Sequence, residues 1–577
     1  MKKKLLPALI IIGLIILVSG IIGVSALIKK YTPTKETKDL GEYFNISSED
    51  EAALIVDNTV SDHKAKIIDG NIYVDYNFVH DSLNSRFYWD ANENVLLYTT
   101  ATDIVSAAAD SNTYTVTKQS NDFDYPIVKA TSDSALVALD FVKLYSNIAY
   151  NSYEDPSRIV ITTDWTKVET ATVSKATQVR VKGGIKSPIL KEVAKDDPVT
   201  ILEAGDNWDK VATEDGIIGY IKSKNLSDSK ETTLENPDYT EETFSHIKKD
   251  SDVCLAWHQV TSKSANSKVA SVISSTKGVN VMSPTWFYLN DNNGNIADIA
   301  SKDYVSYCHS QGIEVWGLFS NLENTDVDAA YVLTHTSTRT TLINQIMSAA
   351  FNYELDGVNI DFENLTQEAY GDSYIEFIRE LAIKCHNNGI SLSVDVTVPA
   401  SYNKFFNRAD MANFADYVVI MGYDEHYNGS DAGSVASLPW VTTGVTDTLK
   451  EVPADQIILG MPLYTRIWEL TPKEDDDTVS DSEDQSQYNI SSAVYGMDAA
   501  AAQVSGNGAT ASFDEESGQN FAEWSVGTTL YKVWLEDSTS LEQRLKLVSD
   551  NKLAGAAFWK LGFENSTIWD TVIKYLD

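Results

Sequence analysis

The chain has 577 residues, 43% of them hydrophobic, enough for several domains with a large core. Its formal net charge of -38 argues against nucleic acid or an anionic membrane surface as partner, and an anionic wall polymer would have to be held by shaped sites. Three cysteines, Cys254, Cys308 and Cys385, cannot make a disulfide framework; each lies in an apolar run as a small core residue would, and no zinc-type Cys/His spacing occurs.

Lys2, Lys3 and Lys4 precede an uncharged apolar run from Leu5 to Ile28, closed by Lys29 and Lys30. The run is long enough to cross a bilayer as a helix, so residues 1–30 are expected to be a signal anchor. Val24-Ser25-Ala26 leaves a cleaved signal peptide open. The clustered lysines favour the cytoplasmic side, which puts the acidic remainder on the extracellular side of the cell membrane, or free of it if the signal is cut. Residues 31–50 are polar and read as a tether.

From residue 51 to 166 short β-rich runs alternate with turns, and a repeat appears at a shift of 63 positions: Val74 aligns with Val137, Phe78-Val79 with Phe141-Val142, Asn84 with Asn147. Each copy reads strand, short helix, strand. The pattern resembles the stalk module named after the N-terminus of copper amine oxidase, in two copies; without a metal cluster it is expected to be a spacer. Residues 168–228, with Trp208-Asp209-Lys210-Val211 and Gly216 to Ile221, resemble the bacterial SH3 module, a small β-barrel. That resemblance implies wall peptide as a partner or a spacing role, and Trp208 and Tyr220 could be binding aromatics or core. Residues 229–245, acidic and turn-rich, read as a linker.

Residues 246–577 alternate strand-like and helix-like runs. The strand candidates are Val253 to Trp257, Val279 to Tyr288, Ile313 to Phe319, Gly357 to Phe362, Leu392 to Val398, Tyr417 to Tyr423, Ile457 to Met461 and Ala554 to Trp559. Several are continuous apolar runs of the kind a parallel sheet buries on both faces. After the fourth, Tyr374, Phe377, Ile378, Leu381 and Cys385 share a helix face and Gly389 is placed to end it. Eight such units predict a (β/α)8 TIM barrel, with its chemistry at the C-terminal strand ends. Between strands seven and eight, an acidic run from Glu474 to Asp484 reads as a solvated loop, and the β-like Thr510 to Phe513 and Leu530 to Trp534 predict a small α+β insertion at about 466–534. The whole is a multidomain chain: stalk modules, a small SH3-like β-barrel, then the TIM barrel.

The fourth run, Leu355-Asp356-Gly357-Val358-Asn359-Ile360-Asp361-Phe362-Glu363, carries the chemistry. On a strand, Val358, Ile360 and Phe362 take one face and Asn359, Asp361 and Glu363 the other. Two carboxylates and an amide on an inward face are costly unless that face opens into a polar site. At i and i+2 the carboxyls sit roughly 6–7 Å apart, close enough for one charge to raise the pKa of the other.

This stretch closely resembles the DxxDxDxE strand of glycoside hydrolase family 18, the chitinase-like enzymes, with Asn359 where most members have Asp. Strand six ends Met421-Gly422-Tyr423-Asp424, close to the family's MxYD, followed by Glu425-His426; strand seven runs into Tyr464-Thr465-Arg466 and strand eight ends at Trp559. The resemblance implies Glu363 as general acid, Asp361 orienting the substrate acetamide, Tyr423 hydrogen-bonding it, Asp424 holding hydroxyls and Trp559 flooring the sugar. Asp356, Asn359, Glu425, Tyr464 and Arg466 complete the expected substrate-binding set. The family is a substrate-assisted exception to two-carboxylate glycosidases, so neither metal nor organic cofactor is expected. An amide at 359 relieves repulsion on Asp361 but cannot pass a proton, so a shifted pH profile is expected of an active enzyme.

The same stretch, with Tyr423-Asp424-Glu425-His426 and Lys532 to Asp537, is closest to the branch of spore-cortex and cell-wall N-acetylglucosaminidases, which shares the Asn; their lysine-motif repeats are absent here. The expected substrate is an N-acetylglucosamine-containing polysaccharide, peptidoglycan or chitin-like, cut at β-1,4 bonds. Cleavage of N-glycan cores and a catalytically silent, lectin-like barrel are the alternatives; an intact Glu363 speaks against the last.

Overall fold

All eight runs expected as barrel strands form, and each pairs in parallel with its neighbour until the eighth closes on the first. They are β1 Val253–His258, β2 Val281–Leu289, β3 Glu314–Ser320, β4 Gly357–Asp361, β5 Ser391–Thr397, β6 Tyr417–Met421, β7 Ile457–Pro462 and β8 Gly555–Trp559. The computed structural model describes residues 2–473 and 485–576, so the acidic run at 474–484 lies outside the described residues. Two units make up the chain: Met1–Phe87, Ala107–Tyr114 and Asp122–Glu241, and Tyr88–Ser106, Thr115–Asn121 and Glu242–Asp577.

In the first unit, the N-terminal helix Lys2–Tyr31 includes a stretch, Leu9–Tyr31, long and apolar enough to cross a membrane by length and composition. The expected tether is partly ordered, because Phe44, at the end of the turn Leu40–Phe44, is buried against Ala53 and Ile55. The repeat shows directly in strand pairing: Asn71–Asp75 runs antiparallel to Ala135–Ala138 with Val74 opposite Val137, the two residues that the repeat aligns. A second sheet of seven antiparallel strands lies between Lys167 and Thr233. Its last strand, Lys230–Thr233, falls in the expected linker; threonines suit an edge strand, and Thr232 meets Thr170 at 2.9 Å across the pair.

In the second unit, strand alternation sorts the barrel into two layers. Val358, Ile360 and Phe362 face the helices, while Leu255, Trp257, Trp316, Leu318 and Val419 pack inside. Gly357 is needed where it stands: a Cβ there would lie 2.5 Å from the Trp316 ring. The helix after β4 is Gln367–His386, with the five expected residues buried along it and Gly389 just beyond it at φ +69°. Between β7 and β8 the insertion forms a five-stranded antiparallel sheet spanning Tyr464 to Leu535 and the helix Met497–Gly506.

Within the expected stalk, 51–166, the segments Tyr88–Ser106 and Thr115–Asn121 pack in the same unit as the barrel. We label Thr336–Tyr353 α1, Gln367–His386 α2 and Arg408–Phe414 α3. The residue preceding α1, His335, makes no side-chain cap. Asp90 supplies one instead, its Oδ2 accepting from Thr336 N and Thr336 Oγ1, both at 2.6 Å, while Glu93 accepts from Ser337 N at 3.0 Å. Thr99 Oγ1 donates to Glu376 on α2 at 2.8 Å, and Arg379 links Glu376 at 3.0 Å to Asp410 on α3 at 2.9 Å. Arg339 on α1 lies over the Tyr88 ring and donates to Glu380 at 3.0 Å. Burial, opposed by Arg379, pushes the Glu376 carboxyl up to about 7.

Asp90→Ala removes this remote cap and should lower stability by about 1–2 kcal/mol, the usual cost of losing an N-cap. Urea denaturation measures the loss, and amide exchange should quicken first at the start of α1; an unchanged midpoint would show the cap to be idle.

Candidate active site

Asn359, Asp361 and Glu363 lie on the inward face of β4 and its extension. Asn359 is fully buried, and its amide is saturated. Its Oδ1 accepts from Trp257 Nε1 and Ser283 Oγ, each at 3.0 Å; its Nδ2 donates to Ser393 Oγ at 3.0 Å and Asp395 Oδ1 at 2.7 Å. One layer nearer the mouth, Asp361 Oδ1 is buried without a protein partner. Desolvation first, and then the charges of Asp395, Glu363 and Glu323, push its carboxyl well above the usual range.

Glu363 stands at the rim, half-buried. Asn321, after β3, clamps its backbone from both sides, accepting from Glu363 N at 2.8 Å and donating to Glu363 O at 2.9 Å. Burial raises the Glu363 pKa, with Asp424 the next cause and Glu323 after it, so the group keeps its proton to higher pH than a free glutamate. An acid that keeps its proton to higher pH is thus held near a second carboxyl that has an oxygen to spare.

The remaining strand ends close around these two. The pKa of Tyr423, after β6, is raised by burial first and then by the charges of Asp361 and Asp395. Its ring meets Trp257 edge-on at 6.5 Å, and Trp257 in turn meets Trp559, at the end of β8, at 6.0 Å. Asp424 takes a left-handed backbone conformation, φ +60°, which Asp tolerates better than most residues. Its Oδ1 accepts from Tyr464 OH at 2.6 Å, with Arg466 3.8 Å away. Asp361, Glu363, Tyr423, Asp424, Trp559, Tyr464 and Arg466 therefore gather at the C-terminal strand ends.

Three expected residues have their polar groups engaged within the protein. Asp356 precedes β4 at the opposite end of the barrel, where its carboxylate accepts from Val315 N at 2.7 Å and pairs with His309 at 2.8 Å; it fastens neighbouring elements together. Asn359 spends every hydrogen bond on the protein and lies below the site. Glu425 accepts from Ser437 N at 2.7 Å and Ser437 Oγ at 3.0 Å, so its carboxylate anchors the start of helix Leu438–Thr448. His426, which follows it, is bonded to Ser434 O at 2.7 Å. Conversely, Trp257, Asn321 and Asp395 were missed. Asp395 carried the same signal as Asp361, since Ser393, Asp395 and Thr397 alternate with apolar residues along β5.

Residues 325–564 match the family model for glycosyl hydrolases family 18, and residues 55–161 match that for the copper amine oxidase N-terminal domain. The uncharacterized glycosylase YvbX of Bacillus subtilis (strain 168) is 23% identical over 296 residues, 49% of this chain and 81% of that protein. The cortical fragment-lytic enzyme of the same organism is 24% identical over 287 residues, 48% of this chain and 63% of that enzyme, so less than two thirds of its length is spanned. Among solved structures, the Bacillus cereus spore cortex-lytic enzyme SleL superposes with a TM-score of 0.50 at 18% identity, covering 60% of this chain and 77% of that one. Barrel, strand-end residues and sequence matches coincide: the C-terminal part of this chain is a glycoside hydrolase family 18 domain.

Proposed function

We propose that the chain hydrolyses β-1,4 bonds after N-acetylglucosamine in a cell-wall glycan, on the outer side of the membrane, by substrate-assisted retaining catalysis. The observation that carries this reading is the pairing of a proton-retaining Glu363 at the rim with the unpartnered oxygen of Asp361 behind it. Asp361 accepts from the acetamide N–H, and Tyr423 donates to the acetamide oxygen. That oxygen attacks the anomeric carbon as the glycosidic bond breaks, and Glu363 gives its proton to the departing oxygen. Glu363, now ionised, then takes a proton from the water that opens the cyclic intermediate. Trp559 offers an apolar face to the sugar ring, and Asp424 accepts from its hydroxyls. Relatives named for cortex lysis support peptidoglycan over chitin, and the N-terminal helix behind three lysines supports export with a membrane anchor.

Glu363→Gln should abolish turnover on peptidoglycan while preserving glycan binding, measured by mass spectrometry of products and by calorimetry; near-native turnover would remove Glu363 from the acid role. Parallel digests of chitin oligomers and a high-mannose glycoprotein separate the alternative substrates, and binding without any product would identify a lectin. Asp424→Asn removes a like charge from beside Glu363 and so lowers its pKa. The alkaline limb of kcat/KM, set by ionisation of the acid, should therefore move to lower pH; an unmoved limb would mean that Asp424 does not act on Glu363.

A further inference from the structure

A second carboxylate stands beside Asp361, from the neighbouring strand. In the parallel ladder of β4 and β5, Asn359 is opposite Ser393 and Ile360 opposite Val394, so the next step sets Asp361 beside Asp395. Both side chains point into the barrel from strands about 4.8 Å apart. Asp395 is 2% exposed and Asp361 Oδ1 is buried without a partner. The groups facing the pair are Glu363 on the β4 extension, Glu323 after β3, Tyr423 after β6, and Tyr374 on α2, whose hydroxyl is also buried without a partner. Two carboxyls so close in a desolvated site cannot both ionise near neutrality, so the pair holds one proton. The donor that breaks the symmetry is Asn359 Nδ2, 2.7 Å from Asp395 Oδ1.

The structure assigns Asp395 as a positioning residue for the reaction proposed above: it carries the negative charge of a one-proton pair, with the proton resting on Asp361. Asn359 stabilises the ionised Asp395 from below, which explains why an amide suits position 359. When the acetamide docks, the proton passes from the Asp361 carboxyl to an Asp395 oxygen. Asp361 is left as the carboxylate that accepts the acetamide N–H. One O–H bond breaks and one forms, and the pair's charge stays at minus one. Burial and the neighbouring carboxylates raise both groups, in keeping with this sharing.

The test has one arm that needs no substrate. In the full-length Glu363→Gln background, pH-difference infrared spectra should show, beside the bands of the buried Glu376 and Glu536, a protonated carboxyl persisting to neutral pH that Asp361→Asn removes. That band should titrate at lower pH on adding Asp395→Asn, because a like charge beside Asp361 is gone while its burial remains; a band whose titration is unmoved by Asp395→Asn overturns the shared proton. In the active chain, Asp395→Asn should lower kcat at least tenfold on peptidoglycan with KM within about threefold. The exchange variant Asn359→Asp/Asp395→Asn, which returns a carboxylate to the layer beneath Asp361, should recover most of that loss. Wild-type kcat in Asp395→Asn, or a folded exchange variant with no recovery, overturns the assignment. Failure of the wild-type chain to cut any N-acetylglucosamine glycan would instead sink the functional reading, with the infrared result still deciding whether the pair shares a proton.

Discussion

A barrel interior must solvate whatever charge it contains, and here that burden falls on the amide of Asn359. Its four hydrogen bonds tie β1, β2, β4 and β5 together at one level, through Trp257, Ser283, Ser393 and Asp395. A carboxylate in its place could only accept, and three of these four partners would still be donors or hydroxyls, but Asp395 would then face another acceptor. The amide offers both polarities, so Asp395 can be buried with a donor and the layer above can remain acidic. In that upper layer, with Glu363 and Tyr423, one oxygen of Asp361 is buried without a partner. In a folded protein nearly every buried polar atom finds a partner, and an exception facing an open strand end is where a ligand's own groups belong.

The outer layer holds this inner one in place. Phe362, between the two acidic residues of the strand, is stacked by Tyr374 and Phe377 of α2 at 6.3 and 5.6 Å. The same helix is fixed on its far side by the buried ions Glu376, Arg379 and Glu380, which reach α1, α3 and the Tyr88–Ser106 segment. Buried ion pairs contribute little net stability once desolvation is counted, but breaking one leaves an uncompensated charge. Such a network resists rearrangement more than it adds free energy. It therefore defines how α2, and with it the end of β4, sits against the barrel.

Much of this was legible in the chain. Continuous apolar runs located all eight strands, and two-residue alternation put Asn359, Asp361 and Glu363 on one face because a barrel strand has only an inside and an outside. Pattern could not say how high along the barrel each residue lies. Asp356 shares the motif yet sits at the strand's other end, and Glu425 shares the mouth yet turns to a helix start. Asp395 was within reach of the same alternation, but one carboxylate in a strand with two small hydroxyl residues attracts less notice than two carboxylates in a row. The Asp90 cap and the Thr99 bond join residues 246 and 277 positions apart, and no local pattern records such pairings.

The insertion between β7 and β8 does more than extend the fold. It begins with Tyr464, whose hydroxyl binds Asp424, so the strand that starts the insertion also fixes a residue of the β6 end. From there the insertion grips the loop after β6 at successive points. Trp468 Nε1 donates to Gly433 O at 2.8 Å, Gln485 both accepts from Ala432 N at 2.7 Å and donates to Ala432 O at 3.0 Å, and Ser517 O accepts from Leu438 N at 2.8 Å. Behind these contacts Glu536 is buried against Arg544 at 2.7 Å and accepts from Gln519 Nε2, also at 2.7 Å. A long loop with its own polar backbone would otherwise be mobile, and mobility at Asp424 would spread to Glu363 through the charge that links them. Anchoring that loop on a separate sheet keeps the electrostatic neighbour of the acid at one distance, and the acid's protonation is then set by the fold.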